Sequence, residues 1–143
     1  MAAKSNKNHK RKEHLEVEEY IAIIRTPYLN EELREAFVLC YYTGLRWCDV
    51  KPLNWKHIGK DEIVFTTNQE KTDVENRITL HPIAKAILDR RCKRLAPGVG
   101  KGLVFRLPSQ DLALRKLDTW CKTAGIQKHI TWHSARLSFS ILL

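Results

Sequence analysis

The chain has 143 residues, 43% of them hydrophobic, which is enough for one domain with its own core. Lys and Arg number 25 against 16 Asp and Glu, and the resulting charge of +9 points to a polyanionic partner more than to a merely solubilising surface. No apolar run could span a bilayer and the polar N-terminus has no signal-peptide pattern, so the expectation is a cytoplasmic protein with no membrane partner, nucleoid-associated if bacterial.

Residues 1–14 read as a basic tail or linker, because "KSNKNHKRK" (4–12) holds five Lys or Arg and no acid. The rest, 15–143, reads as one domain. In "EVEEYIAIIR" (16–25) Val17, Tyr20, Ile21 and Ile24 recur at helical spacing, and "TPYLN" interrupts the pattern. A stronger helix follows over 30–44, with Asn30 as its cap, acids in its first turn and Gly44 as its stop. Its inward face is expected to carry Leu33, Phe37, Cys40 and Tyr41, with Ala36 beside them.

Residues 47–53 can form a short helical turn. "WKHIGKDEIVFTT" (55–67) then changes period, and two β-rich runs flank "GKD" as in a hairpin. "NQEKTDVE" (68–75) reads as a polar connection and "NRITL" (76–80) as a third strand. Pro82 opens a helix whose bases gather near its C-terminal end, over 83–95. A loop (96–102) and a short extended piece (103–105) follow. The next helix, 109–125, has Ser109 as cap and Gly125 as stop, and a last one starts at Trp132 or His133. The fold class is therefore α+β: a mostly helical domain with a small antiparallel three-stranded β-sheet. The four cysteines (Cys40, Cys48, Cys92 and Cys121) form no C-x-x-C pair and are expected as buried apolar residues, not disulfides or zinc ligands.

Several chemistries lack their motif. His129 and His133 are four apart, but "HITWH" lacks the glutamate of the zinc-protease pattern. "GVGKG" (98–102) lacks P-loop spacing, and no G-x-S-x-G occurs. No cofactor or metal is expected. What remains are cations at element boundaries: Arg46 just after a helix stop, Lys71 in the β-connection, and His133 with Arg136 one turn apart. Two guanidiniums can clamp a phosphate with bidentate hydrogen bonds, a lysine can protonate a leaving oxygen, and a histidine can act as acid or base. Such a set suits metal-free phosphoryl transfer.

The segments "TGLRWCDV", "EKTDVENRITL" and "HSARLSFS" together resemble the catalytic domain of tyrosine recombinases, the phage integrase family, and among them the integrases of mobile elements. The resemblance runs from about Leu15 to the C-terminus, with departures at Ala135 and at Leu137, where the family has leucine and histidine. It implies that Arg46 and Arg136 hold the non-bridging oxygens of a DNA phosphodiester, that Lys71 protonates the 5′ oxygen, that His133 assists proton transfer, and that Asp49 supports the site. It also implies a tyrosine nucleophile that forms a 3′-phosphotyrosyl link, so that neither a nucleotide nor a metal is needed. That tyrosine and a second His or Trp would lie several tens of residues beyond Arg136. The sequence runs only to Leu143, and Tyr20, Tyr28, Tyr41 and Tyr42 do not match, so no nucleophile is named and a chain truncated before it is expected.

The expected function is site-specific recombination or integration of a mobile element in a full-length parent, with double-stranded DNA and recombinase protomers as partners. The alternative is a non-catalytic DNA-binding or regulatory fragment. An apolar stripe at Phe139, Ile141 and Leu142 further predicts self-association.

Overall fold

The computed structural model describes residues 15–28, 30–69, 72–94, 102–132 and 134, with the strands described as backbone alone over 67–69 and 72–74. The element order is α1 (Val17–Arg25), α2 (Glu31–Thr43), α3 (Trp47–Val50), a 3-10 turn (Trp55–His57), β1 (Glu62–Gln69), β2 (Thr72–Thr79), α4 (Pro82–Arg94) and α5 (Gln110–Thr123). The domain is mostly helical with one small antiparallel sheet.

Local chemistry sets the helix ends. The Glu19 carboxylate accepts from the Glu16 N–H (2.9 Å) to start α1, and Pro27 follows its end. Asn30 accepts from Leu33 N–H (3.0 Å) at the start of α2, and Ser109 accepts from Leu112 N–H (3.3 Å) at the start of α5. Helix α2 closes on Gly44 at φ 76°, where the absence of a Cβ makes the left-handed turn inexpensive.

Helix α2 lies at the centre of the core. Leu33, Phe37, Cys40, Tyr41 and Ala36 are buried as their spacing predicts, but so are Glu35, Val38, Leu39 and Thr43, so most of its circumference is covered. Helix α1 docks differently from its apolar pattern: Tyr20 and Ile23 go inward, while Val17 and Ile21 stay exposed. The Tyr20 ring stacks on Tyr41 with centroids 3.8 Å apart, which turns α1 to this face.

The expected three-stranded sheet is corrected to two strands. β1 and β2 pair antiparallel from Glu62↔Thr79 to Gln69↔Thr72. The run expected as a first strand becomes the 3-10 turn plus a single bridge, Ile58↔Ile63. The Asn54 carboxamide captures the Lys56 N–H (3.1 Å) and the His57 ring Nδ1 accepts from Asn54 N–H (3.1 Å), side-chain bonds that favour a turn over a ladder. Most of the polar connection expected at 68–75 is instead strand, and only residues 70 and 71 lie between the paired ends.

The short piece at 103–105 pairs with the segment before the 3-10 turn, through Trp55 N–H to the Gly102 carbonyl (3.0 Å) and Val104 N–H to the Leu53 carbonyl (2.9 Å). Arg91 of α4 ties this piece to α2. It donates to the Val104 carbonyl from Nε (3.0 Å) and Nη2 (2.8 Å), to Glu35 from Nη1 (2.6 Å) and to Glu32 from Nη2 (2.8 Å). The cysteine expectation is half corrected. All four are free, but only Cys40 and Cys121 are buried, whereas Cys48 and Cys92 are exposed on polar faces of short or basic helices. The expected tail, the loop at 96–101 and the stripe at Phe139, Ile141 and Leu142 lie outside the described residues.

Candidate active site

Arg46 stands where the sequence predicts, directly after the helix stop. Gly44 turns the chain, Leu45 drops into the core, and Arg46 comes out at the cap of α3 with 43% of its side chain exposed. Its Nε donates to Asp49 Oδ2 at 3.3 Å, and the same oxygen accepts from the Arg46 backbone N–H at 3.4 Å. Asp49, whose side chain is only 11% exposed, thus steadies both the turn and the guanidinium from the inner side. Both contacts are long, so they orient the side chain more than they consume its hydrogen-bonding capacity. The two terminal nitrogens of Arg46 make no hydrogen bond within the described residues. A half-exposed guanidinium held by Nε and open at its outer edge can receive an oxyanion in a bidentate manner.

Lys71, His133 and Arg136 lie outside the described residues, but their flanks do not. β1 and β2 lead to Lys71 from Gln69 on one side and from Thr72 on the other. Before His133, Thr131 N–H donates to Ser134 Oγ (3.0 Å) and Ser134 N–H donates to the Thr131 carbonyl (2.9 Å), a helix-starting turn at the predicted place. Trp132 is buried against Phe37 of α2, with centroids 5.6 Å apart, and against Trp47, with centroids 4.9 Å apart. The residue before His133 therefore touches the residue after Arg46. Sequence reading missed this contact; its one available signal is that a tryptophan flanks the motif residue in both "RW" and "WH".

The chain's tyrosines are built into the core. Tyr20 and Tyr41 are buried and stacked, and Tyr42 meets Tyr41 edge-on at 5.1 Å. Burial pushes the Tyr20 hydroxyl well above its ordinary range, followed by its hydrogen bond with Tyr42, and burial raises Tyr41 as well. Tyr28 stacks on Trp120 at 4.9 Å.

Comparison with known proteins bears on the family and the fold. The family model described as the phage integrase family matches residues 10–143. The chain belongs to the phage integrase family. As a member of this family of tyrosine recombinases, it superposes on a lambda integrase dimer bound to a COC′ core site with a TM-score of 0.71 at 23% identity, over 92% of this chain and 52% of that one. The lambda integrase catalytic core gives 0.70 at 22% identity, over 92% and 82%. The XerA recombinase gives 0.69 at 19% identity, over 94% and 50%. The chain thus spans about half the length of the first and third of these structures, and at such identities the likeness establishes the integrase fold. No curated protein matches the chain. Among the described residues no helix of this integrase-family chain is long and apolar enough to cross a membrane.

Proposed function

We propose that this chain is the phosphate-holding part of the catalytic domain of a site-specific DNA recombinase, one that integrates or excises a mobile element through a 3′-phosphotyrosyl intermediate. The observation that carries the reading is the open guanidinium of Arg46, steadied by Asp49 and left without other partners among the described residues. Its role is to hold the non-bridging oxygens of the scissile phosphate together with Arg136. Lys71 protonates the departing 5′ oxygen, and His133 assists proton transfer. The partner is duplex DNA, a reading supported by the lambda integrase dimer of the same fold, which is bound to a COC′ core site. None of the four tyrosines suits the attack: Tyr20 and Tyr41 are enclosed, the Tyr28 hydroxyl is itself buried, and Tyr42 is half-buried between the Tyr41 and His81 rings and hydrogen-bonded to Tyr20. The chain alone should therefore bind DNA without forming a covalent adduct.

The test is duplex binding by fluorescence anisotropy across a salt series. Affinity should fall steeply with salt as condensed counterions are released. Arg46→Ala should weaken binding about tenfold and reduce the slope of log K against log[salt] by about 1, the signature of one lost phosphate contact. Unchanged affinity and slope in Arg46→Ala would remove the basis of this reading.

A further inference from the structure

Arg46 sits on a single helical turn. Four residues are too few for a helix to hold itself in place, because its nucleation cost is scarcely recovered, so α3 must be fixed from outside. Leu45 and Val50 anchor its two ends in the core. Between them the first side chain after Arg46 is Trp47, which is only partly buried. Its ring is held from two directions. The Lys51 ammonium lies 6.0 Å from the ring centroid, and the Trp132 ring lies 4.9 Å away at 54°. Trp132 is itself 5% exposed and backed by Phe37, which meets Trp120 of α5 at 5.7 Å. A continuous row of rings, Trp120–Phe37–Trp132–Trp47, thus runs from the core to the residue next to Arg46.

We propose that Trp132 is a positioning residue for Arg46, acting through Trp47. The wedge between Phe37 and Trp47 sets where the α3 turn stands, and hence where the open edge of the guanidinium points. Close-packed rings transmit such a placement because their neighbours cannot collapse freely into a gap. The role is one of shape. Trp132 Nε1 is buried and finds no hydrogen-bond partner among the described residues, so none of the bonds seen there accounts for the indole. The inference rests on the phosphate-holding role proposed for Arg46.

The experiment is a double-mutant cycle on duplex binding with Arg46→Ala, Trp132→Ala and the pair, each followed over a salt series at a temperature where all are folded by near-UV circular dichroism. Trp132→Ala alone should weaken binding between about threefold and about tenfold and move the salt slope toward that of Arg46→Ala. In the Arg46→Ala background it should have no further effect, which a general loss of structure would not produce. Trp132→Phe, which keeps a ring and gives up no hydrogen bond, should restore most of the affinity. If Trp132→Ala does not fold, Trp47→Ala replaces it in the same cycle with the same expectation. Equal losses in the presence and absence of Arg46 would overturn the inference while leaving the phosphate role of Arg46 intact. A wild-type affinity in Arg46→Ala would instead overturn that role, read from its own arm, and the inference with it.

Discussion

Replacing Arg91 by methionine should destabilise the domain by about 3 kcal/mol, near the lower end of the range for breaking a buried ion pair. Arg91 is 8% exposed and Glu35 4%, and their contact is 2.6 Å. Methionine keeps much of the volume against the Phe105 ring, over which the guanidinium lies at 4.4 Å, so the loss is mainly polar. The Val104 carbonyl loses both of its Arg91 donors, which alone accounts for about 1–3 kcal/mol. Glu35 is not left as a bare buried charge, because Arg94 Nη2 remains at 2.7 Å and Arg90 Nη2 at 3.6 Å; that is why the upper end of the range is not reached. For a chain of 143 residues the loss corresponds to about 10 °C in melting temperature. Arg94→Met is the control: that side chain is 43% exposed, and its loss should cost about 1 kcal/mol or less. The assay is urea unfolding of both variants at constant m-value. Arg91→Met and Arg94→Met agreeing within about 1 kcal/mol would refute the assignment of Arg91 as the tie between α4, α2 and the 102–104 segment.

Gly44→Ala should cost about 1 kcal/mol, because the left-handed φ of 76° is strained with a Cβ, and should weaken DNA binding with it; calorimetry and anisotropy on one preparation check both. Burial pushes the Cys40 and Cys121 thiols from 9.0 up to about 12, so Cys48 and Cys92 should react with a maleimide at neutral pH while Cys40 and Cys121 wait for unfolding. The same shift costs stability in alkali: above pH 9.0 the unfolded thiols release protons that the folded ones keep, so the midpoint in urea should fall as pH rises from there toward about 12. Burial, then the neighbouring Lys56, lowers the His57 ring from its ordinary 6.5, so the unfolded chain takes up its proton first. Stability should drop as pH falls below 6.5, and His57→Asn should flatten that limb of the profile.

Which parts of the fold were legible follows from how local their causes are. Asn30, Ser109, Gly44 and Gly125 announce helix ends through bonds and dihedrals that span a few residues, and all four act where the spacing predicts. The sheet was misread because its decisive bonds are not in the hydrophobic pattern. Asn54 and His57 divert the run before "GKD" into a 3-10 turn, and the polar residues up to Gln69 and from Thr72 are carried into strand by cross-strand pairing that composition does not advertise. The exposure of Cys48 and Cys92 was equally hidden, because a thiol pattern says nothing about which side of a short or basic helix faces water. The outward turn of Val17 and Ile21 depends on Tyr20 finding Tyr41, a partner 21 residues away.

The site divides along the same line. That a cation follows the helix stop could be read from "TGLR" alone, and the structure adds the reason such an order works. After the left-handed Gly44, successive residues take opposite tasks: Leu45 is spent on the core, Arg46 is released to solvent, and Trp47 returns to a ring contact. An arginine flanked by two anchored side chains has its backbone fixed on both sides, and Asp49 then removes much of the remaining freedom at Nε. Part of the ordering entropy of the side chain is thereby lost on folding instead of on binding, which favours the grip of a guanidinium on an oxyanion. The anchor on the far side is Trp132, 85 residues on from Trp47, and only the folded chain brings the two together. A motif spaced along the sequence names the groups that could meet a phosphate; under the role proposed for Arg46, the ring contact between the motifs is what would give it a fixed place from which to meet one.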